Sequence, residues 1–217
     1  MYNIVSGNRR SGTSLMMLAL RTAGIPIIGF RYPIFTLNKG NEIILSTSPS
    51  KEMREGNPNG YWEMGNISCI TGLKPEHYDI GLKGDLIKIV SDVIFYSDPK
   101  LINKTILMYR HPRAMLSSMI RGNIIKLHEL EDAIEKIYIT TERTLTYLKE
   151  NKIPHIKIYY EEMLKSPEEE LKKATDFIGK GNPKEALKVI NPSLKRSKHI
   201  KGNPKGLKKL IKQYKAV

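Results

Sequence analysis

Residues 2–23 read Y-N-I-V-S-G-N-R-R-S-G-T-S-L-M-M-L-A-L-R-T-A. The first five form an apolar run that reads as a strand. A turn-rich loop follows, G-N-R-R-S-G-T-S at residues 7–14. From Ser14 to Ala23 the apolar spacing reads as a helix, with Gly24 as its stop. A strand, a glycine-bounded loop and a helix in that order build a cradle for an anion. Backbone N–H groups of the loop converge, and the positive end of the helix dipole points at the same place. Ser11, Thr13 and Ser14 add hydroxyl donors, and Arg10 adds a fixed charge. The alternative is a polar turn with an ordinary helix cap.

Gly7 and Gly12 have the spacing of G-x-x-x-x-G-K-[ST], the loop that holds nucleoside triphosphates. Here Thr13 stands where that loop has lysine, and Ser14 follows. The backbone cradle survives this change. The lysine that bridges outer phosphates is missing, and no acidic strand end appears to help hold Mg²⁺.

Outward from the loop, strands alternate with helices. Thr105–Tyr109 is a buried-strand pattern and Arg113–Arg121 a helix. Glu129–Glu150 is a long amphipathic helix, with Leu130, Ile134, Ile137, Thr141, Leu145 and Leu148 at three- and four-residue steps. Ile156–Tyr160 is a further strand. At S-P-E-E (166–169) serine caps, proline takes the first turn and Glu169 reaches back to the cap, and this helix runs to Gly179. Asp79–Lys83 is a short strand candidate, and Leu86–Tyr96 fits helix or strand. Residues 33–60 show weak periodicity and many turn formers, as a substrate-binding loop would. The last helix spans Leu207–Tyr214. This alternation predicts an α/β fold of three layers, a mostly parallel sheet flanked by helices.

The chain has 217 residues, read as one domain with a basic C-terminal segment at 186–217. Its net charge is +14, from 36 Lys/Arg against 22 Asp/Glu. Ten of the basic residues and none of the acidic ones lie from Ala186 onward, so the first 185 residues carry +4. Such a segment suits a polyanion, or is a solvated lysine-rich face. The single cysteine, Cys69, excludes an internal disulfide and any cysteine-based metal centre. The five histidines lack metal-ligand spacing. No apolar run reaches membrane-spanning length and no secretory pattern opens the chain, so a cytoplasmic setting is expected.

A second basic motif, Y-R-H-P-R-A-M-L-S-S-M-I-R, occupies residues 109–121. Arg110 falls at the C-terminal end of a strand, where open α/β sheets bind ligands. Ser118 sits on the following helix and faces back. An arginine fork with a hydroxyl grips phosphate.

Together the two motifs resemble the sulfotransferase family, whose donor is 3′-phosphoadenosine 5′-phosphosulfate (PAPS). The resemblance implies that the first loop is a P-loop-like phosphosulfate-binding loop. Arg9, Arg10, Ser11, Gly12, Thr13 and Ser14 would bind there, while Arg110 and Ser118 would hold the 3′-phosphate. The stretch I-Y-Y-E-E-M-L-K-S-P is similar to a late family segment and would set Tyr160 near adenine. The basic loop S-L-K-R-S-K-H-I-K-G would close the donor site through Lys201 and Gly202. L-K-G-D resembles the family's K-x-H, making Lys83 a sulfonate contact and Asp85 the counterpart of the basic histidine. N-P-N-G-Y-W-E resembles a segment with a glutamate base, Glu63, which is preferred over Asp85. Tyr61 and Trp62 would line the acceptor pocket, although a lone Trp is more often part of a core. Arg10 would stabilise charge on the leaving oxygen.

The implied activity is sulfuryl transfer from PAPS to a hydroxyl or amine of a small molecule or glycan, with no metal and no nucleic-acid partner. A P-loop kinase or nucleotide hydrolase is one alternative, and a non-enzymatic polyanion-binding protein another.

Overall fold

A computed structural model describes residues 1–29, 35–39, 42–46, 60, 62–63, 71–75, 85–122 and 124–191. The expected strand at 79–83, the helix at 207–214, and residues Tyr61, Lys83, Lys201 and Gly202 lie outside the described residues.

The central sheet has five strands, all parallel: β1 (Tyr2–Gly7), β2 (Ile27–Ile28), β5 (Leu86–Lys88), β6 (Ile102–Tyr109) and β7 (His155–Tyr159), in the order β2-β5-β1-β6-β7. β1 sits in the middle and is buried along its whole length, its polar Asn3 and Ser6 included, so it shows no alternation of buried and exposed residues. A separate antiparallel hairpin, β3 (Phe35–Lys39) with β4 (Glu42–Ser46), occupies part of the stretch expected to be irregular.

Helices cover both faces. On one, α1 (Thr13–Thr22) packs Met16, Met17 and Leu20 against Val5, Ile106 and Ile158. On the other, α3 (Leu130–Glu150) sets Leu148 against Ile4, Ile87 and Ile89. Beside it, α2 (Pro112–Arg121) packs Met115, Leu116 and Met119 onto Leu130, Ile134 and Ile137 of α3. Three short elements finish the described chain: α4 (Tyr160–Lys165), α5 (Pro167–Ile178) and α6 (Pro183–Leu187).

Two local expectations change. Leu86–Tyr96 is neither one helix nor one strand, but a three-residue strand followed by turns and a 3₁₀ turn at Ile94–Tyr96. The cap at Ser166 is not a capping box. Its N–H is donated to the Glu162 carbonyl at 2.7 Å, closing α4, so Glu169 has no donor to reach back to. Gly179 ends α5 in the left-handed conformation, as its position predicted.

Candidate functional site

The loop at 7–14 leaves the C-terminal end of the middle strand and enters α1. Its shape depends on its glycines. Gly7 has φ +153°, and a Cβ there would lie 2.5 Å from Ser11 Oγ and 2.7 Å from the Met108 carbonyl oxygen. Gly12 caps α1 with φ +104°, and a Cβ there would lie 2.5 Å from the Tyr160 ring. Asn8 ties the loop to α3, donating to the Ile137 carbonyl (3.2 Å) and Thr141 Oγ1 (2.8 Å). The Leu15 and Met16 N–H groups both donate to the Gly12 carbonyl, at 3.0 and 3.1 Å, and the N–H groups at the very start of a helix have no intrahelical acceptor.

The second motif meets the loop directly. Arg10 Nε donates to Ser118 Oγ at 2.8 Å, across 108 residues of sequence. Arg110 donates from one terminal nitrogen to the Arg10 carbonyl at 2.9 Å. Its guanidinium also lies 4.2 Å above the Tyr160 ring. Burial lowers the Arg110 pKa, against the opposing pull of Tyr160 and Glu161. A desolvated cation of this kind gains by meeting an anion. α2 is set for the purpose: Pro112 opens it, and the His111 ring accepts from the Arg113 N–H at 3.3 Å.

These residues wall a cleft of about 220 Å³ that includes Arg9, Arg10, Thr13, Ser14, Arg110 and Tyr160. Ser11 does not line this cleft: it is buried behind it, on the α2–α3 side of the sheet. Arg9 is the outermost of the set, half-exposed, with Nε 3.9 Å from Asp92.

Across the cleft stand Glu63 and a residue the sequence did not single out, Lys88. Lys88 Nζ lies 2.5 Å from Glu63 Oε1 and donates to Ser14 Oγ at 3.0 Å. Both ionic side chains are buried, Lys88 at 2% and Glu63 at 7% exposure. Glu63 reaches the cleft because Trp62 is anchored in the core beside Met16 and Met17, with Arg21 stacked 4.6 Å over its ring. The backbone of 62–63 also runs against Gly29, where a Cβ would sit 3.1 Å away. Trp62 therefore serves the core.

Asp85 is not brought to the cleft. It precedes β5, at the opposite edge of the parallel sheet from the loop, and pairs with Lys180. Lys88, at the C-terminal end of the same strand, is the cation that reaches the loop, five residues after Lys83. The clue lay in L-I-K-I-V: a lysine inside a buried strand needs a partner. Among the described residues no group of His, Cys, Asp and Glu is arranged to hold a metal, and no helix is long and apolar enough to cross a membrane.

The sequence matches no family model and no curated protein. Its architecture matches solved sulfotransferases. The sulfotransferase domain from the Synechococcus PCC 7002 olefin synthase superposes with a TM-score of 0.55 at 14% identity, covering 99% of this chain and 94% of that one. Sulfotransferase STF9 from Mycobacterium avium superposes with a TM-score of 0.53 at 12% identity, covering 98% and 75%. The chain has the sulfotransferase fold.

Proposed function

We propose that this chain transfers a sulfuryl group from PAPS to a hydroxyl or amine of a small-molecule or glycan acceptor. The observation that carries the reading is the meeting of the loop with the second basic motif, Arg10 donating to Ser118 and Arg110 to the Arg10 carbonyl. Two grips side by side suit a nucleotide with anionic groups at both ends of its ribose. A triphosphate would instead need the loop lysine that Thr13 replaces.

PAPS supplies an activated sulfuryl group with a phosphate as its leaving group. Arg10, Thr13, Ser14 and the α1 N-terminus hold the phosphosulfate end and stabilise the charge growing on the leaving oxygen. Gly12 keeps the backbone close to that end, with Ser11 and Arg9 beside it. Arg110 and Ser118 hold the 3′-phosphate, and Tyr160 flanks the adenine side. Lys201 and Gly202 belong to the segment assigned to closing the site. Glu63 is the carboxylate at the cleft and takes the acceptor proton. Lys88, between Glu63 and Ser14, adds positive charge where the sulfuryl group would pass. Lys83 keeps the sulfonate contact that the resemblance implies.

The division of labour is testable with labelled donor. Arg110→Ala is expected to weaken donor binding by roughly 2 kcal/mol, about thirtyfold, as loss of a charged hydrogen bond does. Arg10→Ala is expected to lower kcat chiefly. Equal loss of affinity in both variants would contradict these roles.

A further inference from the structure

Beside the donor cleft lies a second cavity, of about 290 Å³, between the loop at 7–14, the end of α2 and the middle of α3. Arg9 and Ile124 line both spaces, so the two adjoin. The volume is at the small end of ligand pockets. Ala133, Lys136, Ile137 and Thr140 of α3 all line it. Steps of three and four residues put these side chains on one helix face, which is the face turned to the cavity. Met119 and Ile125 complete an apolar wall.

Thr140 is the residue that points to a ligand. It is 7% exposed. A helical threonine commonly returns its hydroxyl to the carbonyl four residues back, as Thr141 does to Ile137 at 2.7 Å and Thr175 to Leu171 at 3.0 Å. Among the described residues the Thr140 hydroxyl makes no such bond. Nor is its oxygen among the unpartnered atoms sealed inside the protein, so it keeps an opening, and the cavity is the space that its helix face lines. A buried hydroxyl left open in this way can donate to a ligand. Lys136 lies one turn earlier, exposed, with no carboxylate partner among the described residues. An ammonium and a hydroxyl four residues apart on a helix can meet the two oxygens of one carboxylate. Asp92 also lines the cavity, but Arg9 Nε stands 3.9 Å from it, so Lys136 leaves the balance positive. That balance favours an anion over an amine. No aromatic ring lines the cavity among the described residues, so a phenol finds nothing to stack on.

Building on the sulfuryl transfer described above, we propose that this cavity is the acceptor subsite and takes an aliphatic hydroxy acid. The carboxylate meets Lys136 and Thr140, the chain lies on Met119, Ile125 and Ile137, and the hydroxyl reaches the donor cleft past Ile124. There the hydroxyl oxygen forms a bond to sulfur as the bond from sulfur to the phosphate oxygen breaks. The electron pair leaves with that phosphate oxygen, and the hydroxyl proton passes to Glu63. The products are a sulfate monoester and 3′-phosphoadenosine 5′-phosphate.

The ω-hydroxy acids from butanoate to decanoate test it, each beside the diol and the amino alcohol of equal length. Ligand-observed NMR without donor reads the cavity alone. At least one hydroxy acid should bind with a Kd on the order of 1 mM. Its diol and amino alcohol should bind at least about fivefold more weakly. Lys136→Ala should cost the hydroxy acid about fivefold and leave the diol unchanged. Thr140→Val, of the same shape, should also cost about fivefold, and should not lower the Tm of the ligand-free protein, since no internal bond is lost. Saturating 3′-phosphoadenosine 5′-phosphate should leave the hydroxy acid bound, and labelled PAPS should sulfate it. The proposal is overturned if no hydroxy acid binds, if the three series bind alike, if either variant binds the acid undiminished, if the nucleotide displaces it, or if a phenol or sugar takes the label in its place. Failure of the sulfotransferase reading looks different: the nucleotide does not bind and no acceptor of any class takes the label, and the acceptor assignment then falls with it.

Discussion

Gly12 carries two constraints at once. Its φ of +104° lies in the region that side chains avoid, and Tyr160 fills the space where a Cβ would go. Gly12→Ala should therefore destabilise the protein by about 1–3 kcal/mol in thermal or denaturant unfolding. Adding Tyr160→Ala should recover only the steric part, leaving the backbone strain. Full recovery in the double variant would show that φ is not constrained. The buried pair Lys88–Glu63 makes a second residue-scale prediction. Lys88→Met should cost about 3 kcal/mol, because it strips the near cation from a buried carboxylate. Lys88→Met with Glu63→Gln should regain much of that stability while remaining inactive. Recovery of turnover with stability would assign the pair to the fold alone.

Some of this was readable in residues and some was not. Gly7, Gly12 and Arg110 announced themselves because each follows an apolar strand, and the start of a helix limits what can follow a strand. Glu63 was readable from its motif. Lys88 was only half readable: its place in the apolar run L-I-K-I-V hinted at burial, but a three-residue strand gives too little alternation to fix which way it points. Asp85 misled for the same reason. With β5 beginning at Leu86, Asp85 falls at the strand's start rather than its end.

At the scale of elements, α3 was the clearest reading, because its apolar spacing persists over five turns. It also braces the turn after β5. Thr144 Oγ1 donates to the Ser91 carbonyl at 3.0 Å, and Tyr147 Oη to the Ser97 carbonyl at 2.8 Å. Burial, then Asp98, pushes the Tyr147 pKa up from 10.0 to about 12. The raised value means that the folded state favours the protonated phenol. Its contribution is complete below about pH 10 and is lost as pH rises toward 12. Tyr147→Phe should cost about 1 kcal/mol at neutral pH. Wild type and variant should converge in stability between pH 10 and 12. Parallel pH profiles would mean that the hydroxyl is not linked to folding. The β3–β4 hairpin escaped the sequence because its alternation is broken by the paired Ile43–Ile44 and its turn lies among many other turn formers.

For the whole molecule, the parallel order β2-β5-β1-β6-β7 gathers the chemistry at one edge. The loop after β1, Lys88 at the end of β5, Arg110 after β6 and Tyr160 after β7 all sit at C-terminal strand ends. Strand polarity alone thus explains why Asp85 is excluded and Lys88 included. It also turns the loop at 7–14 from half of a binding site into one side of a cleft closed by Arg110 and Ser118. The missing loop lysine and the second arginine make a shared prediction about ligand choice. Isothermal titration of 3′-phosphoadenosine 5′-phosphate with a metal chelator present tests it most directly. Saturable binding, unchanged by the chelator and tighter than that of ATP–Mg²⁺, is the predicted result. No binding, or a preference for ATP–Mg²⁺, would contradict it.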